Sequence, residues 1–230
     1  MQRNLKIIVI VVLLLIIGGV LFLESSNFSS QGQDYQTLAN ESIGTVEKCV
    51  YGNANAAKSI ALITGIHPRE KLSINPEIKA AEEFANDDVR IIHYKVTVTD
   101  RPDDYEVGRD NGEKLVHDYV NPDVTKSDAD AVIISHSHMA GYGEGFYLAT
   151  PEMDDASVKM AETIKNESDF NYYPVTGGET YKSTSAVLVS KPIAQAGYPT
   201  FVYEIPEDIT NDTATSKTVE LFDLISKIIS

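Results

Sequence analysis

The sequence predicts an α/β fold of three layers, with helices on both faces of a mixed, largely parallel sheet. Apolar runs of strand length alternate with amphipathic stretches of helical length along most of the chain. About 185 residues of such sequence are enough for the core of one domain. The single cysteine, Cys49, excludes an internal disulfide framework, so a packed core must hold the fold together.

Four apolar runs rich in β-branched residues predict the strands. Their boundaries are 59–66 (SIALITGI), 89–99 (VRIIHYKVTVT), 130–137 (DAVIISHS) and 199–205 (PTFVYEI). Five further stretches predict helices, over 76–86, 112–120, 156–166, 191–196 and 216–229. Functional groups in such sheets gather where strands end and loops begin, so a site is expected at these ends.

A continuous uncharged run occupies residues 7–23 (IIVIVVLLLIIGGVLFL). At about 1.5 Å per residue it nearly matches a hydrocarbon layer of about 30 Å, which predicts a transmembrane anchor. Arg3 and Lys6 precede it, so the positive-inside rule places residues 1–6 in the cytoplasm and the later chain outside. A cleaved signal peptide is the alternative, and either interpretation exports the domain.

Residues 24–45 are rich in Ser, Gln, Gly and Asn without apolar periodicity, which predicts a flexible stalk. The folded domain would then span 46–230, on the extracellular side of the cell membrane. Residues 31–230 carry 17 basic and 33 acidic side chains, a net charge of −16. Such acidity argues against nucleic acid and anionic lipid as partners, and solubility alone explains it.

Polar residues with metal-binding chemistry follow two of the predicted strands. His67 and Glu70 lie in the turn GIHPRE, and a His and a carboxylate three positions apart can converge on one zinc ion. A third ligand is required, and His136 or His138 at the end of a later strand supplies it. Two His, one Glu and an open position for water form the ligand set of hydrolytic zinc sites.

A carboxylate must also take a proton from the attacking water and pass it to the leaving amine. Glu204 interrupts the apolar run TFVYEIP, where an unpaired buried carboxylate is costly, and we assign it this role. Each residue also has a structural interpretation, since His67 could lie in a surface turn and Glu204 could begin a loop with Pro206. His93, within a predicted strand, and His117, within a predicted helix, are interpreted as structural.

These motifs resemble those of the carboxypeptidase A-like zinc peptidases and their aspartoacylase and succinylglutamate desuccinylase relatives. GIHPRE after an apolar strand, IISHS ending a later strand and TFVYEIPE beyond it follow the family's order, over about residues 59–206. The resemblance implies a zinc carboxypeptidase-like fold. It also implies three zinc ligands and a general base, namely His67, Glu70, His136 and Glu204.

The resemblance extends to residues around these four. Ser137 after the third ligand fits the peptidase branch, although His138, on the same strand face, remains an alternative ligand. Tyr181, in GGETYKSTS, matches a tyrosine that closes over the substrate in the family's peptidases. The family's Asn-Arg pair for a terminal carboxylate is absent between the second and third ligands. Arg101 and Arg109 lie in that interval, and Arg109 is the better candidate to replace the pair.

Taken together, the residues and the resemblance predict a membrane-anchored, extracellular zinc hydrolase that cleaves an amide bond in a peptide. Glu204 would activate the zinc-bound water. The anchored location suggests a cell-wall peptide as substrate. Two alternatives remain, a deacylase of N-acyl amino acids of the aspartoacylase type and a non-catalytic binding domain on the same fold.

Overall fold

The computed structural model describes residues 34–229. Its strands are β1 (Gln36–Glu41), β2 (Gly44–Tyr51), β3 (Lys58–Thr64), β4 (Val89–Val98), β5 (Ala131–His138), β6 (Tyr147–Ala149), β7 (Asn171–Tyr172) and β8 (Thr200–Pro206). Its helices are α1 (Asn75–Phe84), α2 (Tyr105–Leu115), α3 (Asn121–Val124), α4 (Asp155–Glu167), α5 (Lys191–Gln195) and α6 (Asn211–Ile228). Wide π-helical turns at Val116–Val120 and Ala186–Ser190 lead into α3 and α5.

The eight strands form one mixed sheet in the order β1-β2-β4-β3-β5-β8-β6-β7. The central strands β4, β3, β5 and β8 are parallel, and Leu62 of β3 pairs with His93 of β4 and Ile133 of β5. The pairs β1–β2, β2–β4 and β6–β8 are antiparallel. The mixed α/β sheet is therefore as predicted, and the C-terminal ends of β3, β5 and β8 lie at one edge.

Helices cover both faces of this sheet. On one face α1, α4 and α6 pack over apolar side chains that include Leu62 and Ile133. On the other face α2, α3 and α5 pack over the next residues along the same strands, Ile63 and Ile134. Because successive side chains of a strand point to opposite faces, strands buried on both sides appear in the sequence as continuous apolar runs. The predicted three layers are confirmed.

The carboxyl group of Glu77 is buried inside this core. Glu77, in the first turn of α1, is fully buried, and its Oε1 accepts hydrogen bonds from Ser135 Oγ (2.9 Å) and Thr218 Oγ1 (3.3 Å). Burial raises the pKa of Glu77 to about 7, although both hydrogen bonds act in the opposite direction. Its Oε2 has no hydrogen-bond partner within the described part of the chain. A protonated carboxyl is the form that such a site favours.

The predicted stalk over 24–45 needs correction in its second half. β1 begins at Gln36 and β2 at Gly44, so these residues belong to the sheet. β2 pairs with β4 along its whole length and buries the side chains of Val46, Cys49 and Tyr51. β1 is an exposed strand at the sheet edge. Because it is mostly polar, its sequence lacks the apolar pattern by which a strand is predicted.

The helix predicted over 112–120 begins earlier, at Tyr105. The side chain of Asp104 caps it by accepting hydrogen bonds from the backbone N–H groups of Glu106 (3.1 Å) and Val107 (3.0 Å). Arg109 therefore lies on a helix and not in a loop.

The predicted membrane location also needs correction. No helix within residues 34–229 is both long enough and apolar enough to cross a membrane. The predicted cytoplasmic segment 1–6 and anchor 7–23 lie outside the described residues. The structure gives no support to an extracellular domain held at a membrane.

Candidate metal centre

Three side chains with metal-binding donors meet at the C-terminal ends of the central strands. Glu70 Oε1 lies 2.7 Å from His67 Nδ1, and Glu70 Oε2 lies 2.8 Å from His136 Nδ1. The centroids of the two imidazole rings are 4.4 Å apart. One donor atom from each of the three residues lies within 4.8 Å of the other two. Both histidines are buried, so the surrounding protein fixes their rings.

The fold explains why these residues converge. β3 and β5 are adjacent parallel strands, so the turn that follows β3 lies beside the end of β5. The chain leaves β3 at Gly65, whose φ is +78°, and a Cβ there would lie 2.1 Å from the carbonyl oxygen of Val96. Glycine alone fits this turn. The backbone N–H of Glu70 then donates to the carbonyl of His67 (3.1 Å), which brings both side chains to the same place.

Contacts within the cluster shift the pKa values of its members. Burial acts to lower the pKa of His67, but hydrogen bonds to Glu113 and Glu70 outweigh it and raise that pKa. Burial acts to raise the pKa of Glu70, but His136 and His67 outweigh it and hold that pKa well below its usual range. Glu70 is therefore an anion, which is the form that binds a cation.

Helix α2 contributes two further residues, of which the sequence analysis missed Glu113. Its carboxylate is buried, and Oε1 lies 3.3 Å from His67 Nε2. Arg109, four residues earlier, directs one guanidinium nitrogen to His67 Nδ1 (3.0 Å) and the other toward Glu113 Oε1 (3.7 Å). The four-residue spacing of Arg109 and Glu113, which places both on one helix face, is the sequence signal that could have identified Glu113.

A glycine allows α2 to approach so closely. A Cβ at Gly112 would lie 1.7 Å from the carbonyl oxygen of Ile66, in the turn that leads to His67. Gly112 thereby sets the distance between α2 and the cluster.

The three central residues fit a divalent metal ion. Two imidazoles and one carboxylate are the donor set of hydrolytic zinc sites. Glu113 accepts a hydrogen bond from Nε2–H of His67, so in the neutral imidazole Nδ1 carries the lone pair and faces the cluster. The chemistry of the donors and the contact behind His67 thus both agree with a metal centre.

A cavity of about 720 Å³ opens beside the cluster, and Glu204 lies on its wall. In the pairing of β5 with β8, Glu204 is the direct neighbour of His136. Burial raises the pKa of Glu204 to about 7, although His136 acts to lower it. A carboxyl group with a pKa near neutrality can both accept and donate a proton.

Aromatic side chains line the cavity beyond Glu204. Tyr147 pairs with Glu204 across β6 and β8, and Tyr181 lies on the same wall. The hydroxyl of Tyr181 donates to the carbonyl of Tyr173 (2.7 Å), and burial raises its pKa, so it remains a phenol. Tyr181 therefore lines the cavity.

Arg101 and His138 lie outside the metal cluster, although His138 lines the cavity. Arg101, in the turn before α2, is exposed, lies 3.5 Å from Asp100 and does not line the cavity, which corrects its predicted substrate contact. The nitrogens of His138 lie 3.2 Å from Met139 O and 3.0 Å from Gly145 O. Its ring nitrogens contact the backbone of the loop that follows β5, and His138 is not part of the metal-binding group.

The other two histidines have structural surroundings. His93 is fully buried, with Nε2 2.9 Å from Thr64 Oγ1, and His117 Nδ1 lies 3.1 Å from the carbonyl of Leu188.

No protein-family model and no curated protein matches the sequence. Solved structures match the fold. A metallo-carboxypeptidase from Burkholderia cenocepacia has a TM-score of 0.56 and 14% identity, covering 91% of this chain and 69% of that chain. A metallo-carboxypeptidase from Pseudomonas aeruginosa, in complex with (2-guanidinoethylmercapto)succinic acid, has a TM-score of 0.52 and 11% identity, covering 86% and 65%. Tripeptide-bound cell shape determinant Csd4 from Helicobacter pylori has a TM-score of 0.54 and 11% identity, covering 80% and 55%.

The chain therefore has the fold of the metallo-carboxypeptidases, as the resemblance of its motifs implied. It spans about two thirds of these two carboxypeptidases and 55% of the Csd4 chain. Similarity at these identities establishes the fold, and the chemistry of the site depends on the residues of this chain.

Proposed function

We propose that this protein is a metal-dependent hydrolase that cleaves an amide bond in a peptide, in the manner of a carboxypeptidase, with Zn²⁺ as its metal. One observation carries the proposal. His67, Glu70 and His136 converge beside a cavity of about 720 Å³, and Glu204 lies on the next strand. Cavities of about 300–1,000 Å³ bind ligands of drug size, which includes short peptides.

The residues divide the chemistry among them. His67 and His136 would hold the ion through Nδ1, and Glu70 through its carboxylate. A bound Zn²⁺ supplies Lewis-acid chemistry, which polarises the scissile carbonyl and acidifies water. Glu204 takes a proton from the attacking water and delivers it to the leaving nitrogen.

Two residues on the cavity wall assist this reaction. The guanidinium of Arg109 already faces the cluster, so it stabilises the negative charge that develops on the carbonyl oxygen or binds a substrate carboxylate. The phenol of Tyr181 would exchange its hydrogen bond to the Tyr173 carbonyl for one to the bound substrate.

A peptide substrate is supported by the ligands of similar structures. The Csd4 structure holds a tripeptide, and the carboxypeptidase from P. aeruginosa holds a succinic acid derivative.

The test combines zinc content with peptide cleavage. We expect about one zinc per chain in the wild-type protein and in Glu204→Gln, and none in a His67→Ala, Glu70→Ala double variant. Glu204→Gln should lower kcat on a broad peptide panel by about 10²- to 10⁴-fold, because it removes proton transfer. Asp208→Asn, at an exposed position just after β8, is the matched control and should keep wild-type activity.

Three outcomes would overturn the proposal. Wild-type protein that holds no zinc after incubation with excess metal and removal of the unbound fraction has no metal centre. Hydrolysis of acetyl- or succinyl-amino acids without peptide cleavage would identify a deacylase. Bound zinc without any hydrolysis would identify a binding domain.

A further inference from the structure

Exposed apolar side chains surround the mouth of the cavity. Among the described residues, five large apolar side chains are exposed, and four of them line this cavity: Tyr105, Met139, Tyr142 and Tyr173. Tyr142 and Met139 are 73% and 61% exposed, and both belong to the loop that follows β5. Exposed apolar groups beside a cavity mark a surface on which a ligand is received.

The tip of this loop is rich in glycine. Residues 139–145 read MAGYGEG, with three glycines in the last five positions. Gly141 has φ +99°, and no described atom lies within 4 Å of a Cβ built on it. Gly143 passes so close to Tyr147 that a Cβ would lie 2.2 Å from a ring carbon. Glycines on both sides of Tyr142 give its backbone a wide range of conformations.

The base of the loop is fixed by contrast. The ring of His138 lies within hydrogen-bonding distance of Met139 O at one end and Gly145 O at the other. Whichever nitrogen carries the proton, the ring donates a hydrogen bond to one end of the loop. Asn171 Nδ2 donates to the carbonyl of Glu144 (2.6 Å), and the N–H of Glu144 donates to the hydroxyl of Tyr173 (3.2 Å).

We propose that residues 139–145 form a hinged arm that closes over the bound substrate, with Tyr142 and Met139 in contact with an apolar peptide residue beyond the scissile pair. His138 is the positioning residue that holds the base of the arm on β5, the strand that carries His136. This inference rests on the proposed peptidase function and adds a preference for peptides of three or more residues.

The kinetic test compares Phe-Ala-Ala with Gly-Ala-Ala, which differ only in the residue beyond the scissile pair. The wild-type protein should cleave Phe-Ala-Ala with a kcat/KM about fivefold higher, since Tyr142 gains an aromatic contact. Tyr142→Ala should bring this ratio close to one. A ratio near one in the wild-type protein, or an unchanged ratio in the variant, would contradict the arm.

A spectroscopic test does not depend on turnover. The chain contains no tryptophan, so Tyr142→Trp places a single indole at the tip of the arm. With metal-free protein, Phe-Ala-Ala should shift the indole emission to shorter wavelength, and Gly-Ala-Ala should shift it less. Tyr119→Trp, which does not line the cavity, is the control and should show no shift.

The role of His138 is tested in the Tyr142→Trp protein. His138→Phe should lower the fluorescence anisotropy of the indole, because the base of the arm is released. His138→Gln should restore the anisotropy, since its amide N–H groups can donate to the same carbonyls. Equal anisotropy in all three proteins would show that His138 positions nothing.

The experiments distinguish failure of the proposed arm from failure of the proposed peptidase function. If no peptide is cleaved but the indole emission shifts with Phe-Ala-Ala, the proposed hydrolysis is wrong and the arm stands. If peptides are cleaved but neither the ratio nor the emission responds, the arm is wrong and the hydrolase stands.

Discussion

Each imidazole of the candidate metal centre needs one nitrogen free for the metal. In His67, Glu113 holds the hydrogen on Nε2 and so leaves Nδ1 free. Its buried carboxylate lies behind Nε2, and the hydrogen bond to His67 helps to lower the pKa of Glu113 against the effect of burial. An ionised Glu113 can only accept a hydrogen bond, which keeps the Nε2–H tautomer of His67 in place.

We expect Glu113→Gln to weaken zinc binding by about 10- to 100-fold, because the amide can donate to Nε2 and favour the wrong tautomer. Competition against a chelating dye measures the affinity. Asp110→Asn, an exposed change on the same helix, is the control. An affinity equal to that of the wild-type protein would show that Glu113 does not act through His67.

Among single residues, the sequence indicated those candidate site residues that belong to short motifs. His67, Glu70 and Glu204 were identified because a polar group at a strand end is conspicuous in an apolar run. The sequence left His136 and His138 as alternatives, because both lie on one strand face. The structure separates them through contacts of His138 with the loop after β5, which depend on how that loop folds back.

Helix α2 illustrates what sequence periodicity could not predict among the elements. Gly108 and Gly112 lower its helix propensity, so the pattern indicated a helix only from residue 112. In the structure both glycines face the turn after β3, and a Cβ at Gly108 would lie 3.0 Å from Pro68 Cγ. The two glycines allow α2 to pack closely against the turn after β3, and no local sequence pattern predicts such a tertiary contact.

Gly112→Ala should therefore affect both stability and the metal centre. The added methyl group meets a backbone carbonyl, so α2 must move, and overpacking of this kind costs about 1–3 kcal/mol. The same movement draws Glu113 and Arg109 away from His67, so zinc affinity should fall as well. Glu106→Ala, at an exposed position of α2, should change neither property, which denaturant unfolding and metal titration can check. Normal zinc affinity in the Gly112→Ala variant would contradict this role of the helix.

The stability of the whole molecule should depend on pH through Glu77. Its pKa in the folded protein is about 7, above the ordinary value of 4.5. Its stabilising contribution is therefore fully present below about pH 4.5 and is lost as the pH rises through about 7. The shift corresponds to a loss of about 3 kcal/mol in the free energy of unfolding.

Glu77→Gln, which cannot ionise, should remove this part of the pH dependence. From pH 5 to pH 8, the free energy of unfolding of the wild-type protein should therefore fall relative to that of Glu77→Gln. Glu82→Gln, at an exposed position of α1, is the control and should follow the wild-type curve. Parallel curves for Glu77→Gln and wild type would mean that Glu77 does not titrate in this range.

For the molecule as a whole, the alternation of strands and helices was enough to predict a three-layer α/β domain. The antiparallel strands β1, β2 and β6 escaped prediction because they are short, polar or at the edge, where packing imposes little pattern. The membrane location inferred from composition near the start of the chain has no counterpart in the described residues.

The position of the candidate ligands on two central strands has a consequence for the folding equilibrium. His67 and Glu70 follow β3 and His136 lies in β5, so an ion bound by all three would tie neighbouring strands together. Metal binding to the native state alone raises the free energy of unfolding by about 2.7 kcal/mol when free metal is 100 times its Kd. A chelator should therefore lower Tm for the wild-type protein and leave Tm unchanged for the His67→Ala, Glu70→Ala variant. In a cell, the fraction of chains that escape proteolysis would then rise and fall with the supply of the metal.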